Sequence, residues 1–206
     1  MSRAFAMKLS FGALIFILLM GMPIILAAQD DPDIEIDWDT FSYDYYSRGD
    51  QALFINFGLI FPVLFIQDGS VNNDGFKIFG GAGSLVFNYY LGPKLYVGGE
   101  IGATFIPTVG ENTLFIFPIG LRVGTQFNVQ KFEFPIAATF GFSLRNFVGN
   151  GNLDIFFKGS GSVLYRATTQ WAFGMTTCWY LLPEWTNNAV ILGNLLDFTF
   201  TARYHF

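Results

Sequence analysis

Residues 114–127 read LFIFPIGLRVGTQF, and splitting the stretch by parity sets Phe117, Ile119, Leu121, Val123 and Phe127 against Gly120, Arg122, Gly124 and Gln126. Side chains of an extended chain alternate between two faces, so this pattern predicts a strand with one bulky apolar face and one small or polar face. The same split works at both ends of the region after residue 50. In 51–61, Leu53, Ile55, Phe57, Leu59 and Phe61 share one parity, with Asn56 and Gly58 on the other. In 194–206, Phe198, Phe200, Ala202, Tyr204 and Phe206 oppose Asp197, Thr199, Thr201, Arg203 and His205.

Segments of this kind recur between turn-rich stretches and predict eight strands, at 51–61, 76–91, 95–106, 114–127, 132–146, 155–167, 171–182 and 194–206. The connections at 92–94, 128–131 and 168–170 are short. Those at 62–75, 107–113, 147–154 and 183–193 are longer. Short turns on one side and longer loops on the other follow the pattern of bacterial outer-membrane barrels, which puts both chain ends in the periplasm. Pro118 and Pro135 fall inside expected strands, near strand ends, where a bulge tolerates the lost donor.

Charge supplies an independent check, because a Lys or Arg facing lipid at mid-membrane costs about 2–4 kcal/mol. Glu100, Arg122, Glu133, Arg145, Lys158, Arg166, Asp197 and Arg203 all fall opposite the bulky apolar residues of their strands; Lys77 breaks the rule beside an expected outer loop. A water-soluble barrel keeps its apolar face inside. Here the arrangement is inverted, so lipid is the outer solvent. The expected fold is all-β, a closed antiparallel eight-stranded transmembrane β-barrel over 51–206, since an open edge would leave unpaired backbone groups in hydrocarbon. Tyr89, Phe127, Phe132, Tyr165, Trp171, Tyr204 and Phe206 would form an aromatic girdle near the periplasm, and Phe61, Phe105 and Trp179 one near the outer face.

The rest of the chain fits an exported protein. Hydrophobic residues make up 52% and charged residues only 13% of the sequence, yet one uninterrupted apolar run, 9–26, is long enough for a membrane helix. Arg3 and Lys8 precede it and Ala27 and Ala28 follow it, the layout of a signal peptide covering 1–28, with an uncleaved anchor as the alternative. Losing the leader takes the net charge from −5 to about −7, which argues against a nucleic-acid partner. Segment 29–50 carries eight carboxylates and one Arg48 and reads as an acidic periplasmic lead-in. Its Asp30, Asp31, Asp33, Glu35, Asp37 and Asp39 are calcium-type donors, but the glycine-containing EF-hand spacing is missing. The lone Cys178 reads as a small buried side chain.

The terminal stretch FTFTARYHF, with Phe198, Phe200, Tyr204 and Phe206 on one face, resembles the C-terminal signal recognised by the outer-membrane barrel assembly machinery. With the strand count, the region after residue 50 looks like the small-barrel families typified by the OmpA transmembrane domain, OmpX and OmpW. Stretches such as YYLGPKLYVGGEIGATF are similar to their hairpins.

Eight strands enclose a lumen that side chains can largely fill, so general porin activity is not expected. In the simplest register Glu133 faces Arg166, Arg145 faces Asp154, and Glu100 is diagonal to Arg122. Together with Lys158, Asp197 and Arg203 these residues predict a charge-paired lumen network that either satisfies buried charge or lines a gated ion path. The run Phe61, Val63, Leu64, Phe65 and Ile66 extends into the first outer loop. It is either a greasy mouth for a small hydrophobic solute, as the OmpW-like resemblance implies, or a strand extension within the bilayer.

The expected function is therefore a structural outer-membrane protein or a narrow solute path. A surface adhesin or receptor acting through the outer loops is the alternative. A lipid-modifying enzyme is a third reading; small barrels of that type use a histidine at the outer rim, whereas His205 falls at the periplasmic rim. No catalytic residues, metal or cofactor are expected. The expected partners are membrane lipid and the assembly machinery, and beyond them a small hydrophobic solute or a host surface ligand.

Overall fold

The computed structural model describes residues 46–67, 70–71, 79–108, 112–147, 150–185 and 190–206. The expected leader 1–28, residues 29–45 of the acidic segment and Lys77 lie outside the described residues. The described strands are β1 (Gln51–Gln67), β2 (Ser70–Val71), β3 (Gly80–Tyr90), β4 (Leu95–Pro107), β5 (Thr113–Val129), β6 (Phe132–Phe147), β7 (Asn150–Arg166), β8 (Trp171–Trp185) and β9 (Val190–His205). The two-residue β2 pairs only with the end of β1, and the other eight follow chain order around one antiparallel sheet. Pairing of β1 with β9, from Ala52↔His205 to Gln67↔Ile191, closes the sheet into an eight-stranded barrel.

The strands run further than the alternating pattern suggested. Much of what reads as loop at 62–75, 147–154 and 183–193 continues the ladders: β1 reaches Gln67, β7 starts at Asn150, and β8 and β9 end and begin at Trp185 and Val190. A bilayer-crossing strand needs about 9–11 residues, so β1, β7 and β9, with 16–17 residues each, run past that span; the added stretch is polar in β7 (Asn150–Asp154) and apolar in β1 (Pro62–Ile66) and β9 (Val190–Leu192). The hairpin between β6 and β7 closes at Phe147↔Asn150. That moves the pairing by two residues, so Glu133 faces Leu164 and Arg145 faces Asn152. A two-residue shift preserves the faces, and the expected charge pairs become diagonal neighbours.

The prolines also act differently from expectation. The β4–β5 ladder is interrupted beside Pro118 and the β6–β7 ladder over Phe134 and Pro135, in both cases with the register unchanged. The bulge lies at Val63, between Pro62 and Leu64 in the β1–β9 ladder. Phe61, Val63, Leu64, Phe65 and Ile66 are thus strand residues; Val63 is exposed at the bulge, and the side chain of Phe65 is outside the description.

The outer face is apolar all round. Phe57, Leu85, Ile101, Ile119, Phe142, Val163, Met175 and Phe200 are exposed, and Leu121 reaches 77%. Tyr89, Phe127, Phe132, Tyr165, Trp171 and Phe206 lie exposed near the end that carries the turns 91–94, 130–131 and 167–170 and both ends of the described chain; Phe105 and Trp179 are exposed further along the barrel. Phe198 and Tyr204 are half-buried on the same outer face as Phe200 and Phe206.

Candidate functional site in the lumen

Inward-facing residues form three successive layers. At the short-turn end Phe54, Val86, Tyr90, Tyr96, Leu164 and Tyr46 make an apolar and aromatic layer. At the opposite end Ile60, Ile106, Leu114, Ile116, Phe156, Tyr180, Leu195 and Cys178 make a second, with Ala82 and Leu182 packed against it. Between them lie Asn56, Glu100, Arg122, Thr139, Lys158, Ser162, Thr176, Asp197, Thr199 and Thr201, all buried. Alternation alone did not reveal the two apolar layers, because Phe54, Ile60, Leu114, Ile116 and Phe156 share a parity with polar residues and look like noise in the pattern.

The middle layer is organised around Glu100. Its carboxylate accepts from Arg122 Nη1 at 3.4 Å and Thr139 Oγ1 at 3.2 Å, and from Lys158 Nζ, which also donates to Tyr180 Oη at 2.9 Å. Glu100 belongs to β4 and Lys158 to β7, so this contact crosses the lumen. Asp197 faces Cys178 across the β8–β9 ladder. A chain of hydrogen bonds then runs around the wall: Ser162 to Thr176 at 2.8 Å, Thr176 to Thr201 at 2.6 Å, Thr201 to Asn56 Oδ1 at 2.7 Å, and Asn56 Nδ2 to Ser84 Oγ at 3.0 Å. It spans β7, β8, β9, β1 and β3 and crosses the β1–β9 seam. Satisfying these groups inside the sheet is what allows them to be buried at all.

A second node gathers on Glu133 near the short-turn end. Arg166 Nε and Arg203 Nη2 donate to Oε1, each at 2.6 Å, while Tyr46 Oη at 2.9 Å and Gln126 Nε2 at 3.4 Å donate to Oε2. Arg203 is wholly buried. Tyr46 comes from the segment read as lead-in, yet its ring stacks on Tyr90 with centroids 4.1 Å apart and lies 5.3 and 5.4 Å from the guanidinium carbons of Arg166 and Arg203. Its phenol is pushed up to about 12, chiefly by burial; Arg203 opposes the rise and Glu133 adds to it. The hydroxyl therefore stays a donor to Glu133. No periodicity marks Tyr46. The visible signal is the following Ser-Arg-Gly-Asp, where Gly49 takes φ +103° and Ser47 N donates to Asp50 Oδ2 at 2.9 Å, turning the chain into β1.

Arg145 and Asp154 meet at 3.0 Å, less buried, near the far end of β6 and β7. His205 Nε2 lies 3.4 Å from Asp50 at the short-turn rim. Cys178 is buried in the far apolar layer. The structure thus brings eight of the nine lumen charges named from the sequence into three groups by direct contact, two of which hold two cations on one carboxylate, while Asp197 lies opposite Cys178.

Comparison with known proteins agrees with this architecture. A protein-family model matches residues 29–204. An uncharacterized protein of Treponema pallidum (strain Nichols) is 24% identical over 136 residues, which are 63% of this chain and 61% of that protein. The chain spans about three-fifths of the length of the curated relatives it matches. Among solved structures, Neisserial surface protein A (NspA) aligns with a TM-score of 0.56 at 11% identity, covering 77% of this chain and 97% of that one. The outer membrane protein OprG from Pseudomonas aeruginosa aligns at 0.51 and 11%, covering 79% and 99%. The likeness is one of fold, that of the small eight-stranded outer-membrane barrels which the sequence resembles.

Proposed function

The chain belongs to the family whose model covers residues 29–204, and from its barrel we propose a non-catalytic outer-membrane protein with a shut lumen, structural in its resting form. The observation that carries this is the pairing of an apolar outer wall with a lumen filled by two apolar clusters and by buried ion pairs. Lipid is the only common solvent that accepts such an exterior, and a filled eight-stranded lumen does not pass bulk water.

We place both ends of the described chain in the periplasm. The support is their position beside the turns at 91–94, 130–131 and 167–170, opposite the end that carries the long connection from Gln67 to Gly80, the arrangement usual in bacterial barrels. Membrane lipid would then contact the aromatic exterior, and the assembly machinery would read the outward Phe198, Phe200, Tyr204 and Phe206.

A second reading, a narrow path for a small hydrophobic solute, has one observation in its favour. The layer furthest from the termini is itself greasy, lined by Ile60, Ile106, Leu114 and Leu195, so an apolar solute would meet an apolar entrance. One preparation tests both readings. The purified chain refolded in vesicles is expected to migrate faster on gels before boiling than after, to show β-type circular dichroism, and to give no conductance steps in a planar bilayer. Saturable uptake of an apolar solute would move the conclusion to the second reading; identical mobility with and without boiling would remove both.

A further inference from the structure

An eight-stranded barrel finishes folding when its first and last strands meet, and here the short-turn end of that seam is held by more than its ladder. Tyr46 packs its ring 5.0 Å from that of His205 and lies over the Arg203 guanidinium, both on β9. Asp50 Oδ2 lies 3.4 Å from His205 Nε2, and Phe206 N donates to Gln51 O at 2.9 Å. On its other side Tyr46 stacks on Tyr90 of β3 and bonds to Glu133 of β6, which itself holds Arg203.

We infer that residues 46–51 form an internal clasp that fastens the end of β9 after closure, and so set how long the seam stays shut rather than how fast the barrel forms. The inference rests on the reading of the chain as a membrane barrel. Tyr46 touches groups from β3, β6, β7 and β9, and those groups share a lumen only once the sheet is closed. Contacts absent before closure slow opening without speeding formation. The two faces of the stretch 203–206 then have separate tasks: Tyr204 and Phe206 point outward to whatever guides assembly, and Arg203 and His205 point inward to the clasp.

The full chain, Tyr46→Ala and Tyr46→Phe can be refolded into phosphatidylcholine vesicles and followed by gel mobility and by hydrogen exchange. Tyr46→Ala is expected to fold within about twofold of the wild-type rate, with exchange over 198–206 faster by about tenfold or more and exchange over 113–129 unchanged. Tyr46→Phe keeps the ring stack, loses the bond to Glu133, and should fall between. The clasp is overturned if exchange at 198–206 ignores both substitutions, if it rises equally over 113–129, or if Tyr46→Ala fails to fold, since the contact would then act before closure. A wild-type chain without a heat-sensitive mobility shift fails the membrane-barrel reading instead, a different result from a normal barrel whose seam is indifferent to Tyr46.

Discussion

Leu121 and Arg122 are adjacent in β5 and meet opposite surroundings: the leucine is exposed on the outer wall, and the arginine is buried against Glu100. Leu121→Arg places a cation in hydrocarbon at a cost of about 2–4 kcal/mol. Arg122→Gln leaves Glu100 its contacts with Lys158 and Thr139, so the loss there should be smaller. The fraction of chain reaching the heat-sensitive form after refolding in vesicles should fall much further for Leu121→Arg, and equal losses would count against the assigned faces. Glu133→Gln is the harsher change inside, because it leaves Arg166 and Arg203 buried around a neutral amide. Breaking a buried ion pair from one side costs about 3–5 kcal/mol, read as a lowered urea midpoint of the mobility shift. Which charges face inward was legible from parity alone. The partners across the lumen, Lys158 for Glu100 and Arg203 for Glu133, were not, because adjacent-strand register says nothing about which strands confront each other through the barrel.

Among the strands, the weak alternation in several segments traces to glycines that let neighbouring backbones approach. A Cβ added at Gly174 in β8 would stand 1.9 Å from the carbonyl oxygen of Val163 in β7, whereas one added at Gly159 on the outer wall meets nothing within 4 Å. A small barrel must bend its strands sharply, and inward positions without a side chain are where the bend is accommodated. Gly174→Ala should therefore lower stability by about 1–3 kcal/mol. Gly159→Ala should stay within about 0.5 kcal/mol of wild type, both read from urea midpoints. Comparable losses at the two sites would mean that the close approach is relieved by easy movement of β7. Sequence pattern located all eight barrel strands because an apolar wall imposes a period of two. It misjudged their ends at Gln67, Asn150 and Val190: Asn150–Asp154 is polar and leaves no alternation to read, while Pro62–Ile66 and Val190–Leu192 are apolar at successive positions, so neither parity stands out. Tyr46 was missed for the related reason that a single inserted side chain has no period.

At the scale of the whole barrel, the two apolar layers act as stoppers in series, and that arrangement makes a prediction that neither layer makes alone. An ion entering from the short-turn end meets Tyr46, Phe54, Tyr90 and Tyr96 packed around the paired Glu133, Arg166 and Arg203; one entering from the other end meets Phe156, Tyr180 and Leu195. Either layer suffices to block passage, because an ion shedding its water among apolar side chains faces a desolvation penalty of several kcal/mol. Tyr96→Ala alone and Phe156→Ala alone should thus leave the barrel without conductance steps. The double variant should conduct, since the polar layer left between them, with Glu100, Lys158 and Arg122, can exchange its contacts with entering water. Each truncation removes a buried ring at a cost of about 3–5 kcal/mol, so conductance counts only for material that keeps the folded gel mobility. Tyr96 and Phe156 belong to different layers, and their stability losses should add to within about 0.5 kcal/mol. Steps from either single variant would show that one layer carries the whole seal and that the other is only packing. Silence from a folded double variant would mean that the charge networks around Glu100 and Glu133 themselves stop passage.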